Sequence, residues 1–225
     1  MALLAIDSSG SGCSAAVWRD GALVAVRRLA LTHGHAAALL PLVRAAMADA
    51  AGAGLGWEAL AAVAVTVGPG SFTGIRVGLA AARGLGLARG IPVLGLTSFE
   101  VIAAGVPDTA RGAGALAVVI DSGRASRFVQ AFDGALAPLG PPAAIELDRL
   151  AGALPPPPCL IAAAGPLPAA ATGGRPVLGT APDAAGVARL AAARRAAGAR
   201  FLAPSALYLR APDATLPRAG GRIRA

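Results

Sequence analysis

The strongest constraint on this chain is that it repeats itself. The run Leu3-Leu4-Ala5-Ile6-Asp7-Ser8 returns as Ala117-Val118-Val119-Ile120-Asp121-Ser122, and Asp20-Gly21-Ala22-Leu23 returns as Asp133-Gly134-Ala135-Leu136. The offsets are 114 and 113 residues, so two landmarks of one unit recur at nearly the same spacing. In each copy an apolar run ends in an aspartate followed by small turn residues, and an Asp-Gly pair that tolerates positive φ comes later. Two such units in 225 residues predict two lobes built alike, with expected limits of 1–108 and 109–225. The competing explanation is chance in a chain rich in Ala and Gly.

Within the first unit, apolar runs at 3–7, 15–18 and 22–29, separated by a Ser/Gly cluster and by Asp20-Gly21, read as three antiparallel strands. From 35 to 50 the period changes to that of a helix, with Leu39, Leu40, Leu42, Val43, Ala46 and Met47 at helical spacing and Pro41 inside. A buried strand at 61–67, a helix at 73–88, a strand at 91–96 and a short helix at 99–104 complete the order βββαβαβα. That order places helices over a mixed sheet, an α/β fold. The second unit thins after residue 137 into a Pro/Ala-rich stretch. A strand is expected at 159–164 and a helix at 184–197, so the second lobe reads as shortened.

With 56% hydrophobic and 14% charged residues, disorder is excluded as the main state. The mean hydropathy of +0.65 calls for a membrane test. The longest uncharged run, 150–174, carries six prolines, and the run 59–75 is broken by Gly68-Pro69-Gly70, so no transmembrane segment is expected. The amino terminus lacks a basic region and meets Asp7 at once, which predicts no secretory signal and a cytoplasmic location. The net charge of +8 comes from 20 basic residues, all of them Arg, against 12 acids. Beside 30 Gly and 18 Pro this reads as coding bias, and the basic balance is no argument for nucleic acid. Cys13 and Cys159 fit neither a disulfide framework nor a zinc cluster and are expected to be buried thiols.

The most specific segment is Val65-Thr66-Val67-Gly68-Pro69-Gly70-Ser71-Phe72-Thr73-Gly74-Ile75-Arg76. A strand running through closely spaced glycines into a helix offers backbone N–H groups to an anion. Asp7, Ser8, Gly68, Gly70, Ser71, Thr73 and Gly74 therefore form a phosphate-loop-like set. It is not a Walker loop, because no Lys-Ser/Thr follows Gly74 and the spacing is G-x-G-x-x-x-G. Alternatively, Gly70, Gly74 and Gly78 let a helix approach its neighbours closely. Asp7 could hold a metal-bound water or order its own turn. Ser71 and Thr73 could be nucleophiles, or one of them an N-cap. Glu100 reads as a helix-start charge. His33 and His35, two apart at a helix start, point to different faces, and no metal site is expected.

The helices at 35–50 and 73–88 are apolar on more than one side. Leu39, Leu42, Val43 and Met47, together with the small ridge Gly74, Gly78, Ala82 and Gly86, are expected to form a partner interface. The rival account places the small ridge against the chain's own sheet.

Several segments carry a resemblance. Ala5-Ile6-Asp7-Ser8-Ser9, His35 six residues before Pro41, the block from Gly68 to Arg76, Ile91-Pro92-Val93-Leu94-Gly95 and Tyr208-Leu209-Arg210 resemble the TsaB family. That family is the bacterial dimerisation subunit of the tRNA threonylcarbamoyladenosine machinery, historically filed with M22-type glycoproteases. The resemblance covers residues 1–105 and thins over 106–200. The family's D-A-R-R-G-E-V-Y-like segment is represented here by Asp121 and Arg124 alone. The resemblance implies a two-lobed actin, sugar-kinase and Hsp70-like fold with RNase H-like βββαβα units. It also implies that Ser98 and Ile102 stand where the catalytic paralogue TsaD carries a metal-binding His pair. A non-catalytic scaffold follows, paired with a TsaD-like paralogue and acting on tRNA through the complex. A TsaE-like ATPase of the same pathway is a further partner, and homodimerisation is expected when the chain is alone. No cofactor is expected on the chain itself, and ATP or ADP only in the complex. Arg189, Arg194, Arg195 and Arg200, and Arg218, Arg222 and Arg224 near the end, are candidates for tRNA phosphates. The alternative is a stand-alone enzyme of the same fold, a small-substrate phosphotransferase or an M22-type peptidase.

Overall fold

The computed structural model describes residues 1–210, and in it the sequence echo is a repeated sheet. Strands β1 (Ala2–Asp7), β2 (Gly12–Arg19), β3 (Ala22–Ala30), β4 (Leu60–Gly68) and β5 (Val93–Thr97) form one sheet in the order β3-β2-β1-β4-β5. Strands β6 (Ala115–Asp121), β7 (Ser126–Phe132), β8 (Ala143–Glu146), β9 (Cys159–Ala164) and β10 (Val177–Gly179) form the second in the order β10-β9-β6-β7-β8. Taken from opposite edges the two orders are the same. In both, the first two strands are antiparallel and the first pairs in parallel with the fourth. The aspartates of the echo end the central strands at matching corners, Asp7 opposite Ser14 and Asp121 opposite Arg127. The Asp-Gly landmarks are both turns. Asp20 and Gly21 have positive φ between β2 and β3, and Asp133 Oδ1 accepts from the Ala135 and Ala137 N–H groups after β7.

Helices fill the crossovers unequally. In the first lobe they are α1 (His35–Gly52) and α2 (Phe72–Arg89), each 18 residues long. After β5 come α3 (Ser98–Gly105) and the single turn α4 (Asp108–Arg111). In the second lobe the counterparts of α1 and α2 shrink to α5 (Leu150–Ala153) and a 3-10 turn at Ala169–Thr172, before α6 (Ala184–Ala196). The shortening read from the Pro/Ala-rich sequence is thus a loss of helix, with every strand kept. None of the described helices is long and apolar enough to cross a membrane.

Strand β1 is buried at every position because both faces of its sheet are covered. Leu4 and Ile6 point to the core under α1 and α2, whereas Leu3 and Ala5 point to a second core under α6. Helix and sheet therefore cross over between the halves of the chain. The sheet of the second lobe is covered by α3, through Phe99, Ile102, Ala103 and Val106 against Leu116, Val118 and Ile120. Val101, on the other side of α3, packs in the core beneath α6. Glu100 closes a capping box with Thr97 and accepts from Arg194 Nη2 of α6 at 2.7 Å.

The residues expected to face a partner face inward, which corrects that reading. Leu39, Val43 and Met47 form the core stripe of α1 with Ala46 and Ala50, and half-buried Leu42 packs against the same core. On α2, Gly74, Gly78, Ala82 and Gly86 are buried against the protein's own strands. A Cβ at Gly74 would overlap the Ser8 carbonyl oxygen, one at Gly78 would lie 2.6 Å from Ser8 Oγ, and one at Gly86 2.5 Å from Val93 Cγ2. The physical reason is close helix-to-sheet approach, which only a side-chain-free ridge permits. What remains outside is a sparser surface that includes Leu40, 49% exposed, and Leu87, 87% exposed.

Gly74→Ala is expected to lower unfolding free energy by about 1–3 kcal/mol, the cost of forcing a methyl into filled space. Urea titration checks it, with Gly84→Ala, where a Cβ would meet open space, as the control that leaves stability unchanged or raises it.

Candidate functional site

The carboxyl ends of the central strands of both sheets meet at a cleft of about 920 Å³ between the lobes. One wall comes from Ser9 and the Pro69–Phe72 turn, the opposite wall from Ile120–Arg124, Phe128 and Gly165. Part of the enclosure is the segment after α6, through Leu207, Tyr208, Leu209 and Arg210.

Beneath the first wall lies a buried hydroxyl network. Asp7 Oδ1 accepts from Ser9 Oγ at 2.7 Å, from the Ser9 N–H at 3.3 Å and from Thr66 Oγ1 at 2.6 Å. Ser98 Oγ in turn donates to Ser9 Oγ at 3.1 Å. Asp7 is thus held by its own turn and by β4, below the cleft surface. Burial pushes its carboxyl above the ordinary aspartate range, the bonds from Thr66 and Ser9 oppose that shift, and Asp183 adds to it.

The glycine block is engaged internally. Ser71 N–H donates to Ser9 O at 2.7 Å, Gly74 N–H to Ser71 Oγ at 3.2 Å and Ile75 N–H to Ser71 O at 2.9 Å. Ser71 is the N-cap of α2, and Ser8 Oγ donates to Gly74 O at 2.8 Å. Thr73 is exposed in the first turn. Gly70 fits against the Ser9 carbonyl, and Gly68, at φ 107°, against Ile75 and the Leu207 carbonyl. Of the phosphate-loop-like set, Ser71 lines the cleft with Gly70, while Asp7, Ser8 and Gly74 are the packing that fixes the turn.

The second lobe closes its matching corner with a cation. Arg127, buried on β7, places Nη1 3.3 Å from Asp121 Oδ1 and donates to the carbonyls of Arg124 at 2.8 Å and Ser126 at 3.0 Å. Asp121 Oδ1 also accepts from Gly123 N–H at 2.9 Å.

Some contacts of the site had no sequence signal. Nothing in the sequence joins Thr66 and Ser98, a polar strand-end residue and a residue singled out only by resemblance, until the fold gathers them at Asp7. Arg76 lies 3.7 Å over the Phe72 ring and donates from Nε to Tyr208 Oη at 2.9 Å, a contact spanning 132 residues. The other candidates lie elsewhere. His33 is exposed and His35 buried at the start of α1, Arg189, Arg195 and Arg200 are exposed, and Arg218, Arg222 and Arg224 lie outside the described residues. Cys13 and Cys159 are buried free thiols.

Comparison with known proteins agrees with this geometry. Residues 30–164, more than half of the chain, match the family model described as TsaD, tRNA N6-adenosine threonylcarbamoyltransferase. The Escherichia coli (strain K12) tRNA threonylcarbamoyladenosine biosynthesis protein TsaB is 35% identical over 105 residues, 47% of this chain and 44% of that protein. The solved structure of YeaZ from Pseudomonas aeruginosa superposes with a TM-score of 0.77 at 26% identity, over 92% of this chain and all of that one. The chain belongs to this threonylcarbamoyltransferase family, on its TsaB branch. The match spans less than half the length of the E. coli TsaB protein. An uncharacterised protein of Mycobacterium tuberculosis is 36% identical over 216 residues, 94% of this chain and 93% of its own length. Similarity to that protein and to the YeaZ structure thus extends across the divergent second lobe.

A buried carboxyl with a raised pKa binds its proton more tightly folded than unfolded, so its contribution to stability falls as pH rises above 3.8 towards the raised value. Asp7→Asn, which keeps an acceptor for Ser9 and Thr66, is expected to flatten that fall and melt higher than wild type at pH 7. Calorimetric melting from pH 4 to 8 checks the sign.

Proposed function

We propose that this chain is the non-catalytic partner of a TsaD-like paralogue in threonylcarbamoylation of the tRNA adenosine beside the anticodon. The observation that carries the reading is the chemistry at the start of α3. Where the paralogue is expected to hold its histidine pair, Ser98 is fully buried and bonded to Ser9, and Ile102 is packed in the core of the second lobe. Neither side chain is a ligand for a catalytic metal. The Ser71 and Gly74 amides, engaged within the protein, support the same reading for nucleotide, so ATP or ADP belongs to the assembled complex and not to this chain alone. A TsaE-like ATPase then acts on that complex.

A peptidase or phosphotransferase reading draws less support. Ser71 Oγ accepts from a backbone amide of its own helix, the geometry of a cap and not of a nucleophile beside a base. The contact with the paralogue falls to the outer surface of α1 and α2, where Leu40 and Leu87 are exposed apolar side chains beside Arg44, Arg83 and Arg89. A second copy takes the same surface when the paralogue is absent.

Reconstitution with the organism's own TsaD-like protein and tRNA tests the role. Omitting this chain should abolish modified adenosine, and the chain alone should turn over neither ATP nor a glycoprotein. A metal-dependent activity of the purified chain that vanishes in Asp7→Asn overturns the assignment. For the interface, Leu40→Arg combined with Leu87→Arg should leave the melting temperature within a few degrees, because exposed positions change stability by about 0.5 kcal/mol or less. The same pair should weaken association with the paralogue at least about tenfold in light-scattering or calorimetric titrations.

A further inference from the structure

The outer side of α2 carries a stripe that the protein's own core does not use. Phe72, Arg76, Ala80, Arg83 and Leu87 are all exposed. At about 100° per residue they fall within about 80° of arc, along roughly 22 Å of helix. The amino-terminal end of the stripe is the more organised. Arg76 Cζ stands 3.7 Å over the Phe72 ring, Arg76 Nε donates to Tyr208 Oη at 2.9 Å, and the Phe72 and Tyr208 ring centres are 5.5 Å apart. Phe72 is nevertheless 47% exposed and Tyr208 46%. Two rings and a guanidinium are thus set in one geometry at the surface without being buried.

Tyr208 is kept there by the segment after α6. Leu202 exchanges two backbone hydrogen bonds of 3.1 Å with Gly95 at the edge of β5, and Leu207 N–H donates to Val67 O at 2.8 Å. Leu207 packs into the first-lobe core and Leu209 into that of the second. The rings and the guanidinium therefore lose little freedom when a surface docks on them, and side chains of these types carry much of the energy at protein interfaces. Charge says what docks. Arg44, Arg83 and Arg89 are exposed and make no ion pair among the described residues, where Arg76 donates through Nε alone. Asp49, the only acid in the sequence of the two helices, is bound by Arg27. A second copy brings the same arginines to this surface, whereas acidic side chains set among apolar ones complement it. We propose that Phe72, Arg76 and Tyr208 anchor the contact with the paralogue, whose matching surface carries a carboxylate for Arg76 Nη1 and Nη2 beside apolar groups for the two rings. The inference rests on the scaffold reading and adds to its interface a residue, Tyr208, from outside the two helices.

Calorimetric titration of the full chain with the paralogue, at about 50 and about 500 mM NaCl, tests the anchor. Wild type should bind, and more weakly at high salt, because charge lies at the contact. Phe72→Ala and, separately, Arg76→Gln should each weaken binding at least about tenfold at low salt with the melting temperature within a few degrees of wild type, since both positions are exposed. Arg76→Gln should also flatten the salt dependence. Arg76→Lys should keep that dependence while recovering only part of the affinity, because an ammonium lacks the planar fork. Tyr208→Ala should weaken binding in the same direction. The proposal is overturned if wild type binds but Phe72→Ala and Arg76→Gln bind as tightly, if salt leaves wild-type binding unchanged, or if Tyr208→Ala lowers the melting temperature at unchanged affinity, the result for a cluster that only pins its own segment. Absence of binding by wild type overturns the scaffold reading as well, which tells the two failures apart.

Discussion

The first lobe depends on how closely the turn after β1 approaches the start of α2. Ser9 O takes the Ser71 amide at 2.7 Å, and Ser8 Oγ reaches Gly74 O at 2.8 Å, distances that leave no room for a Cβ at Gly70 or Gly74. The G-x-G-x-x-x-G spacing is therefore a record of contact between two pieces of backbone. It has a chemical consequence as well. The Ser71 and Gly74 amides are engaged within the protein, so this part of the turn serves as a joint.

A second constraint is the exchange of helices between the halves. Helix α3 belongs in sequence to the first unit but covers the second sheet, while α6 does the reverse. Opening the cleft by lobe rotation would shear α3 against either Phe132 and Leu116 or the core under α6. The segment from Phe201 to Leu209 adds contacts to the same cores and to the edge of β5. Three separate connections thus hold the two sheets at one spacing, and the width of the cleft follows from core packing and not from a ligand.

Local patterns made the first lobe legible, and non-local contacts hid the rest. Alternation and the Asp20-Gly21 pair gave three strands, and helical spacing from Leu39 to Met47 gave α1, because each signal lies within a few residues of the structure it specifies. Strands β8 and β10 have four and three residues, mostly exposed, too short for any period to register. The small ridge of α2 was visible, but its direction was not. A helix apolar on two sides does not say which side meets its own sheet, and the Ser8 contact that decides it lies 66 residues away. Gly95 makes sense only once Leu202 and Ala203 are seen passing over it. The echo between the units survived best because a strand ending in aspartate and a turn needs the same residues wherever it occurs.

The two echoed aspartates show how a duplicated fold can keep its corners while changing their use. Each ends a central strand at the cleft, where a carboxylate facing a ligand would be placed to do chemistry. Asp7 is sealed under hydroxyls with its proton affinity raised by burial, whereas Asp121 faces a buried guanidinium that also binds two carbonyls of its loop. The environments are opposite, one sealed under hydroxyls and one organised by a cation, yet both carboxylates are engaged in bonds that hold their own turns. With both carboxylates so engaged, the two corners act as joints of the fold.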